Sequence, residues 1–198
     1  MSQQNEQFDE IFDVLVVGSG CGGLTAALTA DIAAPAKVLV IEKSHLIGGT
    51  SATSGGVIWI PDNHLGKEKG AEDSIAEAKQ YLQATIPEDE FNEPLIDTYL
   101  DQGPKMVKFM EDNTDARYTS LEHYPDYFQD APGVKLGNRA LEPLPVSADT
   151  LDDDVDNLHP SGPQTIVFGR YGVNFEESHA FTTQSPGWLR LFAKIFLT

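Results

Sequence analysis

The segment Gly18-Ser19-Gly20-Cys21-Gly22-Gly23 constrains this chain more than any other. It is a G-x-G-x-x-G turn with its glycines at 18, 20 and 23. Before it, Phe12–Val17 is short and almost continuously apolar, which suits a buried parallel strand. After it, Gly22–Ile32 is rich in Ala, Leu and Thr and reads as a helix that Pro35 ends. Val38–Glu42 reads as a second buried strand, which completes a βαβ unit. In such a turn the first glycine allows the tight bend. The second lets a pyrophosphate approach the backbone, and the third allows close helix-to-strand packing. Free N–H groups and the helix dipole then hold the negative charge.

The turn alone is a weak signal, and Glu42 makes it specific. It ends the second strand 19 residues past Gly23, close to the expected spacing of about 20. A carboxylate there accepts hydrogen bonds from ribose hydroxyls and repels a 2′-phosphate. Gly18, Ser19, Gly20, Gly22, Gly23, Glu42 and Lys43 are therefore expected to hold the adenosine-and-pyrophosphate half of a dinucleotide. Cys21 fits the turn as a small filler rather than a redox group.

A plain nicotinamide domain would run from Glu42 into another helix. Here Gly48-Gly49-Thr50-Ser51-Ala52-Thr53-Ser54-Gly55-Gly56 follows, then Val57-Ile58-Trp59-Ile60-Pro61. Small and hydroxylated residues at this density suit a backbone pressed along a flat dinucleotide. Ile47 and Val57–Ile60 on either side argue against a flexible linker.

The rest of the chain gives coarser expectations. Residues 1–10 read as a disordered lead-in, 11–115 as a nucleotide-binding domain, and 116–198 as a partial second region. Residues 44–70 read as a glycine-rich loop. Ser74-Ile75-Ala76-Glu77 is a capping box that starts a helix running to about Thr85. Glu93–Asn113 has helical spacing with an interruption at Gly103-Pro104. A strand is expected over 165–171 and an amphipathic helix over Trp188–Leu197, inside which the sequence stops with no C-cap.

Charge and cysteine content narrow the function class. The formal charge is -18, from 31 acidic and 13 basic residues. Such a surface repels phosphate backbones, so neither nucleic acid nor an anionic membrane is an expected partner. Asp152-Asp153-Asp154 reads as a solvated acidic loop. Cys21 is the single cysteine, which excludes an intramolecular disulfide and fits a reducing compartment. The polar, acidic start lacks the pattern of a signal peptide. No apolar stretch reaches the roughly 20 residues of a membrane span, so the cytoplasm is the default location. The five histidines, His45, His64, His123, His159 and His179, show no metal-ligand spacing.

At Asp13–Ala27 and Ile41–Pro61 the chain resembles the flavoprotein group that contains fumarate reductases and 3-ketosteroid dehydrogenases. The "GGTSATSGG" and "IWIP" stretches are most similar to the 3-ketosteroid Δ1-dehydrogenase branch. Tyr124-Pro125-Asp126-Tyr127-Phe128, Gly137-Asn138-Arg139 and the later "GRYGVNFEESHAFTTQSPGW" extend the similarity. The resemblance implies an α/β fold, a Rossmann-like FAD-binding βαβ with a parallel sheet, plus the start of an α+β substrate domain. It implies FAD as cofactor and places Gly49, Thr50, Ser51, Ser54, Gly55 and Gly56 along the flavin. The position matching the covalently attached histidine of succinate dehydrogenases is Gly49, so the FAD is expected to be non-covalent.

By the same resemblance, hydride passes from C1 of a 3-ketosteroid to flavin N5 while a tyrosine removes a proton from C2. Tyr127 matches a tyrosine that supports this base, and the base itself matches nothing in these residues. Read without the resemblance, Tyr127 sits with Tyr118, Tyr124 and Phe128 in an aromatic cluster of the packing kind. Arg139 and Arg170 could meet a pyrophosphate or a carbonyl, with surface roles favoured. Three functions compete: a steroid dehydrogenase, a reductase of a dicarboxylate such as fumarate, and a truncated FAD-binding fragment without turnover. The scarcity of arginines weighs against the dicarboxylate.

Overall fold

The computed structural model describes residues 10–34, 36–162, 166–167, 171–185 and 188–196. They form two units, one from residues up to 54 with 148–161, the other from 55–147 and the described residues after 161.

The first unit is the expected βαβ. Strand β1 (Val14–Val17) pairs in parallel with β2 (Val38–Ile41), with Val14 opposite Val38 and Val17 opposite Ile41. Helix α1 (Cys21–Ala33) crosses between them. Its Ala27 is buried, and Val14 and Val16 are half-buried. The alternation of a strand then turns Leu15 and Val17 to the other face, where they are 58% and 77% exposed. A strand buried on both faces was expected; among the described residues, α1 is the helix in extensive contact with β1 and β2. The region 44–70, expected as loop, holds α2 (Gly49–Thr53), β3 (Ile58–Trp59) and α3 (His64–Glu68). These elements are too short for a periodicity to show. A 3₁₀ helix, Ala148–Asn157, carries the aspartate run. Beyond it, Leu158 bridges Ile47 in parallel, with Ile47 N–H donating to Asn157 O at 2.8 Å and His159 N–H to Ile47 O at 2.9 Å.

In the second unit β3, β5 (Ala140–Pro143) and β4 (Tyr118–Ser120) form an antiparallel sheet in that order. Ile60, Leu141 and Val107 make its core, with Ile58, Leu65, Met106 and Tyr118 packed around them. Helix α4 (Ile75–Thr85) starts at Ser74, whose Oγ accepts from Glu77 N–H at 3.2 Å and donates to the Glu77 carboxylate at 2.9 Å. The reciprocal half of the box goes elsewhere, because Ser74 N–H donates to Asp73. Helix α5 (Glu93–Asn113) runs unbroken through Pro104, contrary to the expected interruption. Its buried Leu100, Gly103, Val107 and Met110 hold both halves to the core, and Gly103 lets Ile60 approach closely. Burial thus offsets the single helical bond that proline removes. The expected strand over 165–171 is a hairpin of β6 (Ile166–Val167) and β7 (Tyr171–Gly172) where described. Residues 165 and 168–170, including Arg170, lie outside the described residues, as do most of the expected lead-in and the chain end at 197–198. Helices α6 (Phe175–Thr183) and α7 (Trp188–Phe196) complete the unit. Among the described residues no helix is long and apolar enough to cross a membrane.

Arg139, expected at the surface, is 1% exposed and ties this unit together. It forks onto Asp73, Nε to Oδ2 at 2.9 Å and Nη2 to Oδ1 at 2.7 Å, and donates from Nη1 to Asp126 at 2.8 Å. Its guanidinium lies 5.5 Å from the Trp59 ring centroid and 5.9 Å from that of Tyr81. Asp126 also accepts from Trp59 Nε1 at 2.7 Å and Lys135 N–H at 2.9 Å. Each of these charged groups is hydrogen-bonded in place, so burial is tolerable, whereas removing the cation leaves two carboxylates without a counter-charge. Arg139→Leu is expected to lower unfolding free energy by about 3–5 kcal/mol. Denaturant titration of the whole chain checks this, and a loss below about 1 kcal/mol, the range of an exposed pair, contradicts it.

Candidate functional site

The glycine turn sits between β1 and α1, and its geometry follows from three glycines. Gly18 has φ +98°, a left-handed conformation that side chains resist. A Cβ on Gly23 would come 2.1 Å from the Gly18 carbonyl oxygen, so any side chain there prises helix from strand. A Cβ on Gly22 would meet nothing within 4 Å. Gly20 is the N-cap of α1 without a side-chain cap, so by position the N–H groups of Gly20, Gly22 and Gly23 have no acceptor within the helix. Cys21 is exposed, and its N–H donates to Ser51 Oγ at 3.1 Å.

The second loop packs on the first. Gly48 has φ +99° and caps α2, the short helix that contains Gly49, Thr50 and Ser51. A Cβ on Gly49 would lie 3.7 Å from Gly20 Cα, and one on Gly20 would lie 3.8 Å from Ser51 Oγ, so two glycine backbones face one another. The Ser54 hydroxyl donates to Ser51 O at 3.0 Å. Gly55 and Gly56 belong to the second unit, where Gly56 has φ +71° and Pro143 fills the space a side chain would need.

Glu42 stands just past the end of β2 with its carboxylate fully engaged in keeping its charge. Oε1 accepts from Ser44 N–H at 3.0 Å, and Oε2 from Ser19 N–H at 2.9 Å and Ser19 Oγ at 2.7 Å. The Ser44 N–H and then the Ser19 hydroxyl and N–H lower its pKa to about 2. Glu42 is half-buried rather than enclosed, so its carboxylate stays within reach of a ribose hydroxyl. The neighbouring Lys43 is exposed. Unengaged N–H groups at a helix start, a side-chain-free groove and a charged acceptor together fit the pyrophosphate and ribose of FAD.

The second unit contains a cavity of about 340 Å³ lined by Trp59, Tyr81, Tyr124, Tyr127 and Phe128, with Val57, Leu82, Thr85, Pro125, Asp126 and Ala140. Its size is that of a small-molecule site. Tyr127 is 81% exposed and its hydroxyl lies 3.2 Å from that of Tyr124. That hydroxyl pairing, with burial second, raises the Tyr124 pKa above its usual value. Phe175 packs edge-on against Tyr124 with ring centroids 4.9 Å apart. Sequence reasoning missed Trp59, Tyr81 and Asp126 as members of one cavity. Their positions span 67 residues of chain, and no local pattern joins them.

Residues 13–154 match the FAD binding domain family. Among curated proteins, the chain is 40% identical over 172 residues to 4-oxocyclohexanecarboxylate 2-dehydrogenase of Sinomonas cyclohexanicum, covering 86% of this chain and 29% of that one. It is 42% identical over 149 residues to 3-oxosteroid 1-dehydrogenase of Mycolicibacterium smegmatis, covering 75% of this chain and 26% of that one. The structure superposes on 3-ketosteroid Δ1-dehydrogenase of Sterolibacterium denitrificans, solved in complex with 1,4-androstadiene-3,17-dione, with a TM-score of 0.85 and 38% identity. That match covers 93% of this chain and 32% of that one. The chain thus spans less than a third of the length of each of these relatives.

Two outcomes follow from the turn. Gly22→Ala is expected to melt at or slightly above the parent temperature, since alanine favours the helix and meets no neighbour, while Gly23→Ala melts well below it. Equal melting of the two variants would contradict the packing described. A second outcome concerns pH. The Glu42 carboxyl has its usual pKa of 4.5 unfolded and about 2 folded, so its contribution to stability is full above pH 4.5 and fades as pH falls towards 2. The melting difference between the parent and Glu42→Gln should shrink across that window, and a difference constant with pH would contradict it. With its parallel βαβ, its glycine turn and its matched residues 13–154, the chain belongs to the FAD binding domain family, and its cofactor is FAD.

Proposed function

We propose an FAD-dependent oxidoreductase that dehydrogenates a neutral ring ketone of the 3-ketosteroid kind. The observation that carries the reading is the cavity of about 340 Å³ and its aromatic wall. Trp59, Tyr81, Tyr124 and Phe128 offer flat apolar surface that suits fused rings. The described lining contains no lysine or arginine, and its one charged member is an aspartate. A carboxylate-bearing substrate would find no cationic side chain in this lining, because Arg139 behind the wall is already committed to Asp73 and Asp126, and burying it there costs free energy. The 4-oxocyclohexanecarboxylate of one relative's name and the dicarboxylate of a fumarate reductase are disfavoured on that ground. The likeness to 3-oxosteroid 1-dehydrogenases supports the same choice.

In this reading the backbone N–H groups of Gly20, Gly22 and Gly23 hold the pyrophosphate, with Gly18 shaping the bend. Glu42 takes the adenosine ribose, with Lys43 beside it. Gly49, Thr50, Ser51 and Ser54 line the flavin from the first unit, and Gly55 and Gly56 are kept on sequence grounds. FAD, when bound, supplies a two-electron acceptor for a hydride. Tyr127 touches the substrate side of the cavity and, through its contact with Tyr124, supports removal of the accompanying proton. Either hydroxyl of the Tyr124–Tyr127 pair can donate to the other. A reducing cytoplasm suits the exposed Cys21.

Titration of the chain with 4-androstene-3,17-dione is expected to change tryptophan fluorescence through Trp59, and Trp59→Ala should abolish the saturable part. 4-Oxocyclohexanecarboxylate should give no saturable change in the same range. Tighter binding of the carboxylate than of the steroid would overturn the substrate class.

A further inference from the structure

Ser19 spends its hydroxyl inside the protein. Its Oγ–H donates to Glu42 Oε2 at 2.7 Å, and the same oxygen accepts from Gly48 N–H at 3.0 Å. Its N–H donates to the same Glu42 oxygen at 2.9 Å. Ser19 is 2% exposed, so its contact with Gly48 is shielded from water, while Glu42 is half-buried. These partners lie 23 and 29 residues away in sequence. One hydroxyl therefore touches the end of β2 and the start of the second glycine loop from within the first glycine turn.

A serine hydroxyl carries one proton. Spent on Glu42, it is not available to a phosphate. The neighbouring glycines leave the groove open, yet glycine loops lose much conformational entropy when ordered. Something must hold Gly48, at φ +99°, and the Glu42 carboxylate in register. We propose that Ser19 is a positioning residue: it joins the glycine turn, the ribose-binding acid and the second loop into one preformed dinucleotide site before any cofactor arrives. Alanine at 19 keeps the backbone donor to Glu42 and removes both side-chain contacts. Threonine keeps the hydroxyl.

This inference rests on the FAD reading for its purpose, but its test needs no cofactor. The Glu42 side-chain carbon is followed by NMR through an acid titration of the whole chain, with amide exchange read at Gly48. The parent is expected to titrate at about 2 with a protected Gly48. In Ser19→Ala the Glu42 titration should move up part of the way towards its ordinary value of 4.5, since the Ser44 and residue-19 N–H donors remain, and Gly48 should exchange several-fold faster. Ser19→Thr should bring both back towards the parent. General unfolding would also return Glu42 to its ordinary value, so the amide spectrum and exchange of Ser19→Ala away from residues 19, 42 and 48 must match the parent for the shift to count. The inference falls if the parent's Glu42 already titrates in the ordinary range, or if Ser19→Ala leaves both the titration and Gly48 exchange unchanged. The parent measurement stands even where a variant fails to fold. Added FAD is a separate arm: a chain that passes the titration but takes up no flavin supports the Ser19 linkage and removes only the cofactor assignment.

Discussion

A single carboxylate sets the order of the first unit. Glu42 is charged, lies among polar backbone groups, and is kept ionised by donors from Ser44 and Ser19. An anion beside the proposed pyrophosphate site repels its ligand less when hydrogen-bond donors already face its charge. Here the charge is directed into the turn, and the half-buried carboxylate stays within reach of a neutral ribose hydroxyl. The glycine turn, in the same stroke, gains a brace that its own residues cannot supply. The short second loop is then held through Gly48 and through the Cys21–Ser51 contact at 3.1 Å.

The second unit solves a similar problem with a buried cation. Arg139 is enclosed by Asp73 and Asp126, and it stacks near Trp59 and Tyr81. Asp126 also receives the indole N–H of Trp59. The same groups that balance the charge thus fix the aromatic wall of the cavity. A ligand meets side chains whose rotamers are set by the network behind them, which limits the ordering cost of binding.

What could be read from the sequence depended on how local the cause is. The βαβ unit, the bend at the glycine turn and the place of Glu42 at the end of β2 depend on neighbours within one supersecondary unit, so pattern and spacing located them in the fold. Ser74 as a helix start was equally local. Pro104 misled because tertiary burial of Leu100 and Val107 carries α5 through a residue that breaks isolated helices. Arg139 misled because charge predicts exposure, while its partners, Asp73 and Asp126, lie 66 and 13 residues away. The cavity was invisible for the same reason: Trp59, Tyr81 and Tyr127 meet only after folding.

The central claim is that these residues bind FAD. Titrating FAD into the purified chain, read by flavin fluorescence and by melting temperature, tests it most directly. The account predicts saturable binding with a raised melting temperature, and binding weakened roughly tenfold or more in Glu42→Ala through loss of one charged hydrogen bond and the brace on the turn. A melting temperature and fluorescence unmoved by FAD, or an affinity unchanged in Glu42→Ala, would contradict it.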